Sequence, residues 1–362
     1  GDTIHPSTLE LMAELGLLDR FLQRPHSQVS AIEGVIGDET LHMADFSHLP
    51  TRCKFIAFMQ QWEFLDFLAQ EAKRLPNFQL RMNAHATGLL EANGMTTGVS
   101  GEDDDGPFEI SSDLVIAADG RGSDMRKAAG LKVEDLGAPM DVLWLRLSKL
   151  PDDRSATLGR ISAGAMFIML DRGDYWQCAL VIRKGSADEL KARGLDALRD
   201  ALTRASKLPR ERFDEVASLD DAKLLTVTVD RLTQWARPGL LCIGDCAHAM
   251  SPVGGVGINL AIQDAVAAAN LLHVPLRNGP VDLATLDKVQ QRRAFPTRAT
   301  QALQIAIQKR VIAPTLAATQ EPRLPAPLRL FNLFPTLRRI PARVIGMGFR
   351  PEHIAPDLLT PR

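Results

Sequence analysis

The chain has 362 residues, 45% of them hydrophobic and 24% charged, which favours an ordinary globular protein of about two domains. The formal net charge of −2 gives no electrostatic argument for binding nucleic acid or an anionic membrane, and four isolated cysteines without C-x2-C spacing argue against a zinc site or disulfide scaffold. No apolar run approaches the ~20 residues that span a bilayer, and residues 1–30 do not have the pattern of a signal peptide, so we expect a cytoplasmic protein without a metal.

Two amphipathic helices followed by short strands are predicted in the first third of the chain. Residues 8–18 have apolar side chains at helical spacing, and residues 61–75 place Trp62 and Leu65 on one apolar face. The period then changes to that of strands, at residues 85–90, 95–99 and 108–117. The last of these strands ends in a continuous apolar run, which is typical of a strand buried on both faces.

A different pattern occupies residues 138–231. Strands are predicted at 142–147, 165–170 and 176–182, and the last two are joined by a turn sequence suited to a hairpin. A helix over 187–205 and a strand over 224–229 follow. This segment is interpreted as an antiparallel-sheet domain inserted into the first domain.

The pattern of the first domain resumes at residue 232. A short buried strand at 240–243 leads into a glycine-rich loop and a helix over 258–272, and a long helix over 283–312 is expected to kink at Pro296. The predicted fold is α/β: a Rossmann-like domain formed by residues 1–137 and 232–310, an inserted sheet domain over 138–231, and a C-terminal extension over 311–362 made of short helices and extended pieces.

Two segments carry the chemistry, and each follows a predicted buried strand. In an open α/β sheet, ligands lie beyond the carboxyl ends of the strands, where Asp119 and Asp245 are found. The glycines between 254 and 257 let the backbone approach a flat ligand. The helix start that follows offers free N–H groups and a positive dipole end. Alone, such a turn is equally compatible with an ordinary loop.

The pattern Gly-Asp-x-Ala-His-x-x-x-Pro-x-x-Gly-x-Gly-x-Asn-x-Ala, starting at Gly244, resembles the ribityl-contacting motif of the flavin monooxygenases related to para-hydroxybenzoate hydroxylase. Asp119-Gly120 with Arg126 resembles a second motif of that family, a turn implicated in FAD and NAD(P)H binding. The resemblance implies FAD as cofactor, NAD(P)H as co-substrate, and hydroxylation of an aromatic or polycyclic substrate with O2 through a C4a-hydroperoxyflavin.

The resemblance also assigns residues. It makes Asp245 the acceptor for a ribityl hydroxyl, Gln61 a contact of the diphosphate or ribityl, and Asp119 with Gly120 a polar anchor. Gln61 could equally be a solvated helix-start residue and Asp119 a turn-former, and His248 is expected to be structural. No catalytic side chain is assigned with certainty, because the cofactor performs the difficult step. The residues expected to lie against the isoalloxazine ring are Pro252, Gly254, Gly255, Val256, Gly257, Ile258 and Asn259.

The substrate is expected between the flavin and the inserted sheet. The candidate contacts are Met166, Ile168, Tyr175 and Gln177, or the alternate-face neighbours Phe167 and Met169. Because strand side chains alternate, only one set can face the flavin, and core packing is the other interpretation for all of them. The apolar character of this hairpin favours a bulky apolar or polycyclic substrate over a small acid.

One departure from the family pattern is clear. The family opens with a G-x-G-x-x-G unit that holds the diphosphate, and the sequence has no such fingerprint. We therefore expect a truncated N-terminus, and expect residues 1–362 alone to be largely colourless. The alternatives are a related non-hydroxylating flavoprotein, such as a reductase or halogenase, or a flavin-free binding domain. The expected partners are an aromatic substrate and O2, and a homodimer is left open.

Overall fold

The computed structural model describes residues 3–153 and 158–359. The elements that precede the inserted sheet are ten short strands and four helices. They are β1 (Thr3–Ile4), α1 (Pro6–Glu14), α2 (Leu18–Leu22), β2 (Ser27–Val29), β3 (Ala31–Ile36), β4 (Glu39–Asp45), β5 (Ile56–Phe58), α3 (Gln61–Ala72), β6 (His85–Ala92), β7 (Met95–Asp103), β8 (Gly106–Ser111), β9 (Val115–Ala117), α4 (Asp124–Ala128) and β10 (Val133–Asp135).

The later elements divide into the inserted sheet with its two helices and a mainly helical remainder. They are β11 (Met140–Ser148), β12 (Leu158–Ser162), β13 (Ala165–Asp171), β14 (Tyr175–Arg183), α5 (Ala187–Ala192), α6 (Leu195–Ser206), β15 (Lys223–Leu225), β16 (Asp230–Leu232), β17 (Ala236–Arg237), β18 (Leu240–Cys242), α7 (Gly257–Leu276), α8 (Leu283–Ile307), α9 (Ala313–Ala317), α10 (Ala326–Leu333), α11 (Arg339–Met347) and α12 (Pro356–Leu359).

A seven-stranded sheet forms the largest layer, in the order β15-β11-β14-β13-β12-β3-β4. Its centre is the predicted hairpin of β13 and β14, which pair in antiparallel register and turn at Gly173, whose φ is +90°. Strands β3 and β4 are not predicted from the sequence, yet they extend this sheet because β3 pairs in parallel with β12. Residues 31–45 therefore belong to the sheet layer although they precede the insertion.

The strands that carry the two chemical motifs lie side by side. β18 pairs in parallel with β9, with Leu240 opposite Val115 and Cys242 opposite Ala117. Both strands contribute to one hydrophobic core with α7 and α8. Placement of these two segments in one sheet is the arrangement that the sequence predicted. Burial of β9 on both faces was wrong, because Ile116 is 46% exposed.

The predicted apolar face of α3 was also wrong. Trp62 is 56% exposed and Leu65 is exposed as well, whereas Phe64 and Phe67 are buried. Both phenylalanine rings make edge-to-face contacts with the buried ring of Phe21. Aromatic packing against α2 therefore sets the orientation of α3, and a count of apolar residues on each face did not reveal it.

Two predicted long helices are interrupted. The helix expected over 187–205 is split into α5 and α6 at Gly194, whose φ of +89° breaks the helical path. The helix expected over 283–312 runs through Pro296 as α8 and changes to a π-helix at Gln308–Ile312. π-Helical turns inside helices are often found near functional sites.

Among the described residues, one stretch, Val253–Leu276, is long and apolar enough to cross a membrane by length and composition. On those two criteria, the expectation of no such run was wrong. The stretch is dominated by α7, which buries Asn259, Gln263 and Asp264 inside the protein. Core helices of this kind pass the same test, so the stretch is weak evidence for a membrane span.

Candidate flavin-binding site

The two motifs meet at the carboxyl edge of the parallel strand pair. The backbone N–H of Ile243 donates to the carbonyl of Ala117 at 3.0 Å, which continues the pairing to the strand ends. Immediately beyond, an Nη atom of Arg121 lies 3.4 Å from a carboxylate oxygen of Asp245. The structure therefore brings the Asp119-Gly120-Arg121 turn and the Gly244-Asp245 turn together, at the edge where ligands of α/β sheets bind.

Asp245 occupies the centre of this edge with a half-buried carboxylate. Its second oxygen, Oδ1, would lie 3.9 Å from a Cβ atom placed on Gly257, the first residue of α7. The carboxylate thus stands between the Arg121 turn and the start of α7. Within the described part of the chain, Arg121 is its one side-chain partner, so Asp245 retains lone pairs that can accept ligand hydroxyl groups.

The glycine-rich loop needs its glycines for backbone geometry. Gly254 and Gly255 have φ values of +80° and +62°, which disfavour other residues. A Cβ on Gly255 would come within 2.3 Å of Oγ1 of Thr3. The helix α7 that follows has no side-chain N-cap, so its first N–H groups and positive dipole end are available to a ligand.

Asn259 serves the protein rather than an open ligand site. Its Oδ1 accepts hydrogen bonds from the N–H of His5 at 2.9 Å and from the hydroxyl of Thr8 at 2.7 Å. Its Nδ2 donates to the carbonyls of Thr3 and Gly255. These bonds occupy the side chain fully, so only the backbone of Asn259 is left for the predicted contact with the isoalloxazine ring.

The Asp119 turn is built to hold helix α4 in place. The Asp119 carboxylate accepts the N–H of Met125 at 3.1 Å, and Gly120 has a φ of +84°. Partial burial raises the pKa of Asp119, but hydrogen bonds from Ser123 and Met125 outweigh it and leave this pKa below its usual value. Asp119 therefore acts as a turn-former through its side chain, and a direct contact with the cofactor stays a prediction.

Arg126 fixes the same turn from behind. Its buried guanidinium forms an ion pair with Asp230 at 3.3 Å and donates to the carbonyl oxygens of Cys246 and Arg121. Because Arg126 bonds both turns, it sets the position of one relative to the other. In the sequence, this residue was singled out only by its resemblance to the second motif.

A row of glutamines on α8 holds the glycine-rich loop, and sequence reasoning missed it. Gln304 accepts the N–H of Ser251 at 3.1 Å and donates to the carbonyls of Ser251 and Val253 at 2.9 and 2.8 Å. Gln301 donates to the carbonyl of Ala249, and Gln308, in the π-helical turn, donates to the Ser251 hydroxyl. The spacing of these buried residues at i, i+3 and i+7 was the available signal.

A buried charge network lies on the other side of the loop. Asp264 accepts the N–H of Gly244 and contacts Nε2 of His248 at 2.6 Å and Nε of Arg293 at 2.9 Å. Arg293 also pairs with Glu352. Burial raises the pKa of Asp264, but His248 and Arg293 outweigh it, so this pKa is lowered. His248 is a buried member of this network, in agreement with a structural role.

Gln61 opens helix α3 with an exposed side chain. The neighbouring Gln60 makes the contact to the inserted sheet, because its Nε2 donates to the hydroxyl of Tyr175 at 3.0 Å. The indole N–H of Trp62 donates to the other end of Gln60. The proposed contact of Gln61 with the cofactor stays a prediction.

The two candidate substrate sets lie on opposite faces of the sheet. Phe167 and Met169 are buried in the core beneath α6. Met166 and Ile168 lie on the other face, in an apolar cluster that also contains Val253 of the glycine-rich loop. The face that looks toward the predicted flavin position is therefore the one with Met166 and Ile168, and their contact with substrate stays a prediction.

Tyr175 and Gln177 lie on that face as well, and both are engaged in polar contacts. The Arg146 guanidinium stacks over the Tyr175 ring at 4.1 Å. Oε1 of Gln177 accepts from Nε of Arg172 at 2.9 Å. This end of the hairpin is polar, whereas the end with Met166 and Ile168 is apolar.

The residues at this edge fit FAD. Nη1 of Arg121 is buried without a hydrogen-bond partner in the described structure, which is a donor that a hydroxyl or phosphate oxygen would satisfy. A Cβ placed on Gly254 or Gly257 would meet no atom nearer than 3.6 Å, so the backbone at these two residues is open to close approach, and Asp245 can accept from a polyol. Among the described residues no group of acidic, histidine or cysteine side chains could hold a metal ion, and all four cysteines are free and buried.

Fold and site together define a flavoprotein with a separate sheet that covers the predicted flavin position. The chain belongs to the FAD binding domain family, whose sequence profile matches residues 1–303. This membership confirms the predicted family resemblance, the Rossmann-like fold with an inserted sheet, and FAD as cofactor.

Relatives place the chain among monooxygenases. It is 29% identical over 361 residues to 6-methylpretetramide 4-monooxygenase of Streptomyces rimosus, covering 99% of the chain and 85% of that protein. It is 25% identical to pentachlorophenol 4-monooxygenase of Sphingobium chlorophenolicum, of which it spans only 49%. The fold matches p-nitrophenol 4-monooxygenase PnpA of Pseudomonas putida with a TM-score of 0.72 at 18% identity, over 94% of this chain and 86% of that one. The prediction of an FAD-dependent monooxygenase is confirmed.

Proposed function

We propose that this flavoenzyme hydroxylates a polycyclic aromatic substrate, with NAD(P)H as reductant and O2 as oxidant. The observation that carries the proposal is the apolar cluster in which Met166, Ile168 and Trp144 of the sheet lie near Val253 of the glycine-rich loop. A flat apolar ring system would bury its faces against such side chains. A small charged acid would find few partners there.

Different residues of this chain would bind FAD and the substrate. Bound FAD supplies the chemistry that activates O2. Asp245 and Arg121 would hold its polyol, and the backbone from Pro252 to Gly257 would set the height of its ring. The start of α7 would stabilise negative charge on the reduced ring. The apolar face of the sheet would orient the substrate and exclude water from the reacting atoms.

The similarity to 6-methylpretetramide 4-monooxygenase supports a polycyclic substrate, because this relative aligns over nearly the whole chain. A digeranylgeranylglycerophospholipid reductase of Methanocella arvoryzae matches less of the chain, 58% at 24% identity, than this monooxygenase does. The apolar cluster alone is compatible with both substrate types. The reaction products distinguish them.

The test is a substrate panel assayed by mass spectrometry with NADH or NADPH supplied. Hydroxylation predicts that polycyclic phenols stimulate NAD(P)H oxidation more than single-ring phenols and that the product gains one oxygen atom from O2. A product that gains two hydrogens without O2 would identify a reductase. Incorporation of chloride or bromide would identify a halogenase. Cytoplasmic localisation is part of the proposal. Light scattering decides whether the chain forms a homodimer, which the sequence leaves open.

A further inference from the structure

The C-terminal part of the chain carries a concentrated positive charge. Residues 322–351 contain six arginines and no lysine, aspartate or glutamate. The net charge of −2 for the whole chain conceals this segment, because the rest of the chain is correspondingly more acidic. A segment with one sign of charge produces a local field that the average does not reveal.

Helices α10 and α11 within this segment pack against the rest of the protein by their inner faces, α11 with buried residues and α10 with partly buried ones. Leu328 of α10 packs against the cluster of Ile36, Leu41 and Leu324. On α11, Ala342 is completely buried and a Cβ on Gly346 would lie 2.8 Å from a methyl carbon of Leu49. The outer faces of both helices are therefore presented on a fixed support.

Those outer faces expose large apolar side chains around the turn that joins the helices. Leu333, Phe334 and Ile340 are 69%, 55% and 64% exposed, which places them among the most exposed large apolar side chains of the described residues. Isolated exposed apolar residues are ordinary, but a cluster rimmed by charge marks an interaction site.

The arginines beside this cluster are only partly neutralised. Arg329 pairs with Glu39 at 2.9 Å, and Arg338 donates to two backbone carbonyls of α10. Arg339 contacts Nε2 of His48 at 3.3 Å. Neither Arg339 nor Arg343 has a carboxylate partner within the described residues. Free positive charge is thus left on both sides of Ile340.

We propose that Leu333, Phe334, Ile340, Arg339 and Arg343, here called the α10–α11 surface, dock onto an anionic phospholipid surface. Protein interfaces combine charges of both signs, which fixes partner and register. A lipid surface requires only positive charge beside apolar side chains that enter the headgroup and acyl boundary. Two copies of this surface would repel each other in a symmetric dimer. The proposal does not depend on the proposed function.

The test is cosedimentation of the full chain with lipid vesicles. We expect binding to vesicles of phosphatidylcholine mixed with phosphatidylglycerol, little binding to phosphatidylcholine alone, and weaker binding as salt is raised. Absence of binding to the mixed vesicles at low salt would overturn the proposal.

Two double variants separate the apolar and charged contributions. Leu333→Ser with Phe334→Ser, and Arg339→Gln with Arg343→Gln, should each weaken vesicle binding about tenfold or more. Matched controls change equally exposed residues elsewhere: Met82→Ser, at 73% exposure, and Arg193→Gln with Arg204→Gln. Thermal unfolding verifies that each variant folds. If one double variant does not fold, the other alone is a sufficient test.

The remaining outcomes also decide the matter. Equal loss of binding in the controls, or full retention in both surface variants, would overturn the proposal. Self-association abolished by Leu333→Ser with Phe334→Ser, without vesicle binding, would identify a contact between copies of the chain. Retention on a poly-glutamate resin without vesicle binding would favour an acidic protein partner.

Discussion

The glycine-rich loop and the sheet face opposite it are held by different forces. Side chains of Gln304, Asp264 and Asn259 bond the backbone of the loop and its flanks from three directions. The sheet face with Met166 and Ile168 makes its contacts through apolar side chains. The loop thus has a single position determined by directed bonds, and the sheet face has a shape determined by side-chain volume.

This difference separates the two tasks of the site. Directed bonds to the backbone fix where a cofactor can lie, and they leave little room for substitution because each lost partner leaves a buried polar group unpaired. Apolar side chains can be exchanged for others of similar volume at modest cost. We infer that changes in the loop support should affect folding and cofactor binding, while changes on the sheet face should alter substrate choice.

Loss of Arg293 should break the loop support most severely. Arg293→Met removes the buried cation shared by Asp264 and Glu352, which leaves Asp264 with His248 and Glu352 with the half-exposed Arg292. Removal of one partner from a buried ion pair costs about 3–5 kcal/mol. Urea denaturation measures this change. Arg193→Met, at an exposed position, is the control and should stay within about 0.5 kcal/mol of the parent. Equal effects would contradict a supporting role for the network.

Gln304→Leu should cause the next largest loss of stability. It removes three hydrogen bonds and leaves the N–H of Ser251 and two carbonyls unpaired, at about 1 kcal/mol for each of them, the low end of the cost of a buried polar group without a partner. We expect weaker FAD binding together with lower stability. Gln290→Leu, at the end of the same helix that faces β17, is the matched control for a glutamine that bonds elsewhere. Unchanged FAD affinity in Gln304→Leu would contradict a role of the loop support in cofactor binding.

Asp245→Ala tests the cofactor edge alone. A hydrogen bond to a charged acceptor contributes ~1.5–3 kcal/mol. In a form of the protein that carries the diphosphate-binding unit, FAD affinity should therefore fall about tenfold to a hundredfold while stability changes little. Asp174→Ala, which removes an exposed carboxylate of the hairpin, is the control. Flavin fluorescence titration gives both affinities, and retention of full affinity by Asp245→Ala would refute its role.

Acid should destabilise the folded protein through His5, which is buried near the start of the chain. Burial lowers the pKa of His5 to about 4, so the unfolded chain binds an extra proton between pH 6.5 and 4. Stability should therefore fall as pH drops through this window, by about 2 kcal/mol at pH 5. In His5→Asn the dependence should be flatter, as measured by denaturation at several pH values. Parallel curves for the two proteins would exclude His5 as the cause.

The smallest expected effect lies on the sheet face. Ile168→Val removes one methylene, which is worth ~1 kcal/mol when buried against a ligand. It should change kcat/KM for a polycyclic substrate about fivefold and leave FAD affinity unaltered. Met169→Leu, on the opposite face of the same strand, serves as the control. A change in FAD affinity with Ile168→Val would contradict the proposal that the loop binds the cofactor and the sheet face selects the substrate.

The sequence predicted the parts of the site that depend on local patterns. The spacing of Gly244, Asp245 and the following glycines identified the strand end, and parallel pairing then placed it beside Asp119. The sequence could not predict whether Met166 or Phe167 faces the flavin. Side chains of a strand alternate between two faces, and the pattern does not show which face meets the neighbouring layer.

Other features escaped because they depend on distant partners. Gln304 is a polar residue on a helix, and without the loop beside it the sequence gives it the pattern of a solvated position. Strands β3 and β4 gain their place only through pairing with β12, far along the chain. The buried face of α3 depends on Phe21, which belongs to another helix.

The bonds of Asn259 have a consequence for biosynthesis. The residues that they tie down, Thr3, His5 and Thr8, are made about 250 residues earlier. At synthesis rates of about 5–20 residues per second, the first helix waits on the order of ten to fifty seconds for its anchor. During that interval Leu9 and Met12, which are buried in the folded protein, are exposed to solvent or to a chaperone. Translation speed through residues 9–259 should therefore influence how much of the protein reaches its folded state.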